Sequence, residues 1–219
     1  MAMDSFSFRV GDAATTARVY RGVRGARPAT LVLAHGAGAP QSHPWMVAMA
    51  EAVAARGVET VTFNFLYSER KRRLPDRGPV LEATWCAALD AARARLEVER
   101  LFIGGKSLGG RIATQIAARP DVDVAGLVLL GYPLHPPGKP RQLRTAHLPQ
   151  VRAPMLFVQG SRDPFGGPEE LRPLLEGMPE GTRLVAIEGG DHSLARRGAG
   201  LADLVAPVAD EIARFIGSR

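Results

Sequence analysis

Cysteine is almost missing from this 219-residue chain: Cys86 stands alone. One thiol excludes an internal disulfide and a cysteine-built metal cage, and it is the usage expected of a reducing compartment. Within its helical stretch Cys86 is read as a small buried hydrophobe. Lysine is nearly as scarce, since Lys71, Lys106 and Lys139 are the only three among 28 basic residues. The net charge of +6 is therefore carried by arginine, a pattern that an arginine- and alanine-rich coding bias produces without any polyanionic partner. No stretch approaches the roughly 20 apolar residues of a membrane span, and Met1 to Val10 lack the basic start and apolar core of an export signal. Repeats, low-complexity tracts and linkers are missing too. The expectation is one cytoplasmic domain, residues 1–219, with 46% hydrophobic residues, enough to bury roughly 70% of the unfolded surface.

Apolar runs of strand length alternate with longer stretches of helical period, which predicts an α/β fold: a mostly parallel twisted sheet with helices on both faces. Ser5 to Val10 and Thr15 to Tyr20 read as a hairpin around Gly11 and Asp12. Strands are expected at Leu31 to Ala34, Val58 to Phe65, Arg100 to Gly104, Ala125 to Leu130, Met155 to Gln159 and Leu184 to Ile187. Helices are expected at Pro44 to Arg56, Pro79 to about Leu96, after Ser107 to near Arg119, and at Pro168 to Glu176. The last helix carries an apolar stripe at Leu201, Leu204, Val205, Val208, Ile212, Phe215 and Ile216. Tyr132 to Pro154 leaves room for one or two helical turns, so no substantial lid is expected over the sheet edge.

The most telling segment is Gly105-Lys106-Ser107-Leu108-Gly109, entered by a strand and left by a helix. Gly-x-Ser-x-Gly in that setting is a nucleophile elbow, a turn so sharp that the serine takes strained backbone angles and the glycines admit neighbouring backbone. The bland alternative for Ser107 is a helix N-cap. A serine hydroxyl is a poor nucleophile at neutral pH and requires a base and a group that orients the base. Asp163 and His192 each follow a later strand, so all three fall beyond the C-terminal ends of strands, where open parallel sheets bind ligands. Asp163 precedes Pro164 and could instead start a turn. Asp191 and Glu188 are rival acids, Asp191 ranking lower because, adjoining His192 in sequence, it would have difficulty reaching the ring. Of the other histidines, His35 reads as structural, and His43, His135 and His147 lack a strand-end setting.

Backbone N–H groups of Leu108 and of Ala37, in His35-Gly36-Ala37-Gly38, are the candidate oxyanion donors. Histidines and acids do not cluster at ligand spacing, so neither a metal nor a cofactor is expected. Lys106, Arg111 and Arg70 are candidate substrate-binding cations. Arg70 belongs to a basic segment, Ser68 to Arg77, that follows a strand; an anion-binding rim and a solvated charged loop remain equal readings of it.

Gly104 to Arg111, His35 to Ala39, Gly131 to Pro140, Gln159 to Gly166 and Gly189 to Ser193 together resemble a group of small lidless α/β-hydrolases. That group includes testis-expressed and non-specific-lethal-complex subunit proteins and is often labelled dienelactone-hydrolase-like. The resemblance runs from about residue 29 onward. It implies the α/β-hydrolase fold, a hydrolase activity, and triad roles for Ser107, Asp163 and His192. Two departures stand out: dienelactone hydrolases proper use cysteine where Ser107 stands, and Leu66 replaces a proline of the family pattern. The expectation is a serine hydrolase cleaving a small ester or thioester through an acyl-enzyme. Rival readings are a non-catalytic interaction module that retains the fold, and a binder of anions or nucleic acid through the basic rim. The partner expected is a small acyl substrate, with nucleic acid disfavoured and the oligomeric state unread.

Overall fold

The computed structural model describes residues 4–22 and 28–219; Met1 to Met3, part of the N-terminal reading above, lie outside them. Eight strands form one sheet: β1 (Asp4–Val10), β2 (Ala13–Tyr20), β3 (Ala29–Ala34), β4 (Glu59–Phe63), β5 (Arg100–Lys106), β6 (Gly126–Leu130), β7 (Met155–Gly160) and β8 (Arg183–Ile187). Their order is β1-β2-β4-β3-β5-β6-β7-β8. The β1–β2 and β2–β4 pairs are antiparallel and all others parallel.

Strands β3, β6 and β7 are buried along their whole length, and β5 at all but its two ends, because both faces are covered, and their largely apolar sequences match that placement. Side chains alternate between two layers. Val32, Ile103, Leu127, Leu129 and Phe157 face helices α3 (Gly78–Arg95) and α4 (Leu108–Ala117). Leu31, Leu33, Phe102, Val128 and Val158 face α1 (Pro44–Ala54) and α6 (Leu201–Gly217). The predicted stripe on α6 is the face that packs, apart from Leu201, which stays exposed.

Between β3 and β5 the strand order changes direction, so the loops leaving these two neighbours splay apart and open a crevice at their C-terminal ends. Residues 35–38 and 107–108 frame that crevice. The segment between β6 and β7 contains a single 3₁₀ turn, Leu148–Gln150, so no lid covers it.

Two elements differ from expectation. A short helix, α2 (Leu66–Glu69), occupies the start of the expected charged loop. Glu69 is drawn inward there by hydrogen bonds from Thr15, Thr16 and Asn64. The helix expected from Pro168 is α5 (Pro168–Leu171) followed by a 3₁₀ stretch, Arg172–Gly177. Pro173 has no N–H to donate and its ring crowds the carbonyl four residues back, which ends the α-helical turn.

Candidate active site

Ser107 is the residue between β5 and α4, with φ 50 and ψ −114. A non-glycine residue at positive φ is strained, and such strain persists only where surroundings impose it. Here the imposing contacts are identifiable. The Ser107 N–H donates to the Leu130 carbonyl at 3.0 Å, holding the turn to β6. A Cβ on Gly105 or on Gly109 would lie 2.5 Å from the Ala34 carbonyl oxygen, so both positions require glycine for the helix to start this close to β3. The first intrahelical bond of α4 runs from Arg111 N–H to the Ser107 carbonyl, leaving Leu108 N–H without a partner inside the helix.

His192 comes from the loop after β8 and Asp163 from the loop after β7. His192 Nε2 lies 2.8 Å from Ser107 Oγ. Its Nδ1 lies 2.8 and 3.0 Å from the two Asp163 oxygens. The Asp163 side chain is fully buried while His192 keeps 21% of its own exposure. The carboxylate is well supplied with donors: Gln159 Nε2 at 2.8 Å on one oxygen and the Phe165 N–H at 2.8 Å on the other. The turn-starting contact and the contact to the imidazole are thus made together, so the two readings of Asp163 are not exclusive. Phe165 lies against the imidazole with ring centroids 4.1 Å apart.

The His192 loop is fastened by groups that sequence reasoning did not assign to it. Lys106 Nζ donates to the His192 carbonyl at 3.1 Å, and Trp45 Nε1 donates to the Ser193 carbonyl at 3.1 Å. Burial lowers the Lys106 pKa, partly offset by the negative charges of Asp163 and Asp191. Asp191 does not reach the imidazole; its Oδ1 accepts the N–H groups of Ser193 and Ala195. Glu188 bonds Ser161 instead. At the end of β6, Gly131 has φ 62, and a Cβ there would meet the His192 carbonyl at 2.7 Å.

His35 is fully buried, with Nδ1 2.8 Å from the Gly36 carbonyl and Nε2 accepting the Phe65 N–H at 3.2 Å. An acceptor at Nε2 and a carbonyl at Nδ1 fit only the neutral Nδ1–H tautomer. Burial pushes its pKa down to about 4. Tyr67 OH adds a longer bond to the Gly36 carbonyl, so the loop bearing Ala37 is tied down from two sides.

Ser107, His192, Ala37, Leu108, Lys106 and Arg111 all line one cleft of about 480 Å³. Arg144, Phe165, Met46 and His43 line it as well; Phe165 follows Asp163 by two residues within the Gln159 to Gly166 segment, and the other three lie in none of the motifs quoted above. Arg70 does not line it. Glu69 is anchored inward, so the next residue on the turn faces solvent. The rim folds back on itself, with Asp76 bonding Arg72 and the Tyr67 N–H, and Pro75 alone of residues 68–77 reaches the cleft. Of the remaining histidines, His135 is paired with Glu170 and His147 with Thr114.

Comparison with known proteins agrees with this architecture. The structure is similar to Est1E from Butyrivibrio proteoclasticus (TM-score 0.77, 15% identity, 97% of this chain and 99% of that one). It is similar to a dienelactone hydrolase from Anabaena variabilis (TM-score 0.78, 22% identity, 99% and 97%). It is also similar to XC6422 from Xanthomonas campestris, described as an α/β serine hydrolase without lid (TM-score 0.77, 19% identity, 98% and 95%). At these identities the likeness is one of fold. The family model of the alpha/beta hydrolase domain matches residues 27–217, which hold strands β3 to β8 and all the helices, and by that match the chain belongs to the α/β hydrolase family.

Proposed function

We infer that the protein is a serine hydrolase acting on a small acyl ester or thioester, with Ser107 as nucleophile, His192 as general base and acid, and Asp163 as the group that orients the imidazole. The observation that carries this reading is the unbroken hydrogen-bond chain from Asp163 through His192 to Ser107. Ser107 Oγ attacks the acyl carbonyl carbon while its proton passes to His192 Nε2. The negative charge that develops on the carbonyl oxygen is met by the N–H groups of Leu108 and Ala37, each such donor contributing about 3–4 kcal/mol in acyl-transfer enzymes. The imidazolium returns its proton to the departing alcohol or thiol, and a water deprotonated by the same nitrogen releases the acid. Asp163 stays ionised throughout and holds the Nδ1–H tautomer.

The name of the Anabaena variabilis neighbour, a dienelactone hydrolase, supports ester chemistry, since a lactone is a cyclic ester. The motifs from Gly131 to Pro140 and around Ser107 support placement in the small lidless group. Without a lid the cleft suits a short or solvent-exposed acyl chain. We read the reaction as a cytoplasmic one on a small molecule.

A fluorophosphonate probe tests the reading directly. Wild type is expected to be labelled and to hydrolyse 4-nitrophenyl acetate or butyrate, and Ser107→Ala to do neither while melting at a similar temperature. A folded wild type that resists labelling overturns it.

A further inference from the structure

Three cationic side chains, Lys106, Arg111 and Arg144, line the cleft beside Ser107, and its described lining residues include no carboxylate. Lys106 is already engaged with the His192 carbonyl and lies over the Trp45 ring. The two guanidinium groups are not engaged: among the described residues neither has a hydrogen-bond or ion-pair partner. Arg111 stands one helical turn beyond Ser107 on α4. Arg144 arrives from the segment between β6 and β7.

That arrival is built in. The Arg144 N–H donates to the Leu134 carbonyl at 2.8 Å, and its own carbonyl accepts the Tyr132 hydroxyl at 2.8 Å. Three residues later the same segment is tied to α4 by the 2.7 Å bond between His147 and Thr114. Both arginines are half-buried. Burial lowers the Arg111 pKa, and the Arg144 charge lowers it further, outweighing the attraction of Glu82. His147, its pKa lowered by burial and by Arg111, adds no third charge near neutrality. Two half-buried like charges held together with no carboxylate in hydrogen-bond or ion-pair contact, and only the weaker pull of Glu82 acting on Arg111, raise the free energy of the empty site, and an entering oxyanion relieves both the repulsion and the unmet hydrogen bonds. Guanidinium forks match the oxygens of carboxylates and phosphates in pairs.

We propose that Arg111 and Arg144 form an anion subsite of this cleft, and that the substrate is an acyl compound bearing an oxyanion, a carboxylate or a phosphate, away from the carbonyl that Ser107 attacks. The proposal rests on the reading of Ser107 as nucleophile. A matched pair of substrates tests it: mono-4-nitrophenyl glutarate, which carries a free carboxylate, and its neutral methyl ester. Wild type is expected to favour the anionic member by about tenfold or more in kcat/KM, the scale of a hydrogen bond to a charged group. In Arg111→Met and Arg144→Met the preference is expected to fall to within about threefold of unity. Because each value is a ratio within one protein, a general loss of activity cancels. Where Arg111→Met does not fold, Arg144→Met on the exposed segment decides.

Calorimetric titration of Ser107→Ala with glutarate and with inorganic phosphate gives a second readout that needs no turnover. It is expected to show binding of at least one anion, lost when either arginine is also replaced, and the tighter one identifies the anion class. An active wild type with no preference, a preference that survives in both arginine variants, or no binding of either anion overturns the subsite alone. Hydrolysis that survives in Ser107→Ala instead overturns the nucleophile reading.

Discussion

His35 is held neutral by its surroundings, and that has a consequence for stability. Its folded pKa of about 4 lies below the ordinary 6.5, so between these values the unfolded chain binds a proton that the folded chain refuses. Stability from this residue is therefore complete above about pH 6.5 and lost as pH falls toward 4, amounting to roughly 3 kcal/mol. Urea unfolding of wild type and His35→Gln is expected to show their stability difference shrinking by about that amount between about pH 7 and pH 4. At Asp163 the expectation concerns rate. On the proposed mechanism, Asp163→Asn keeps the size but loses the charge that would select the Nδ1–H tautomer of His192, so kcat on a 4-nitrophenyl ester should fall by about 10³- to 10⁴-fold with the melting temperature little changed. His35 was legible as structural because it precedes the glycines of a turn. Gln159, which donates to Asp163 and accepts from the Tyr132 N–H, was not, since nothing in a strand sequence marks the residue whose side chain will support a carboxylate four positions on.

The elbow element shows how far a local pattern can be trusted. Gly-x-Ser-x-Gly predicts a strained serine, and the structure has one at φ 50. The reason lies in the packing of β3 against α4. Alanine at Gly109 would gain about 1 kcal/mol in helix propensity, yet its Cβ would lie 2.5 Å from the Ala34 carbonyl oxygen and 2.6 Å from that of His35. Gly109→Ala is therefore expected to cost about 3 kcal/mol or more in chemical denaturation. Gly38→Ala provides the contrast. Its φ of 76 carries strain, but no atom lies within 4 Å of the added carbon, so a cost of about 1–2 kcal/mol is expected. Elsewhere the strands were legible to within a residue or two, because most of them, β3, β6 and β7 above all, are short, largely apolar runs. The α2 helix was not: its four residues have no periodicity to read, and it forms because Thr15, Thr16 and Asn64 capture Glu69 from other elements.

At the scale of the whole molecule, the family match begins at residue 27, upstream of which the β1–β2 hairpin covers the edge of β4. Phe8 packs edge-on against Phe63, and Thr16 receives Gln41, whose backbone N–H bonds Asn64. Removing residues 1–22 would bare the β4 edge and unseat this network. A fall of about 10 °C or more in melting temperature, with association visible by size-exclusion chromatography, is expected. The sequence by itself determined the alternation of strand and helix, the two-layered core, the strained Ser107 turn, and Asp163 and His192 as candidate partners beyond later strands. These follow from period, apolar runs and turn chemistry, which act over a few residues. Only the tertiary structure decided which cations share a cleft with Ser107. It turned the Arg70 rim to solvent through the Glu69 and Asp76 anchors, engaged Lys106 with the His192 loop, and brought Arg144 beside Arg111. Such meetings depend on how separate loops leave neighbouring strands, and local pattern carries no record of that.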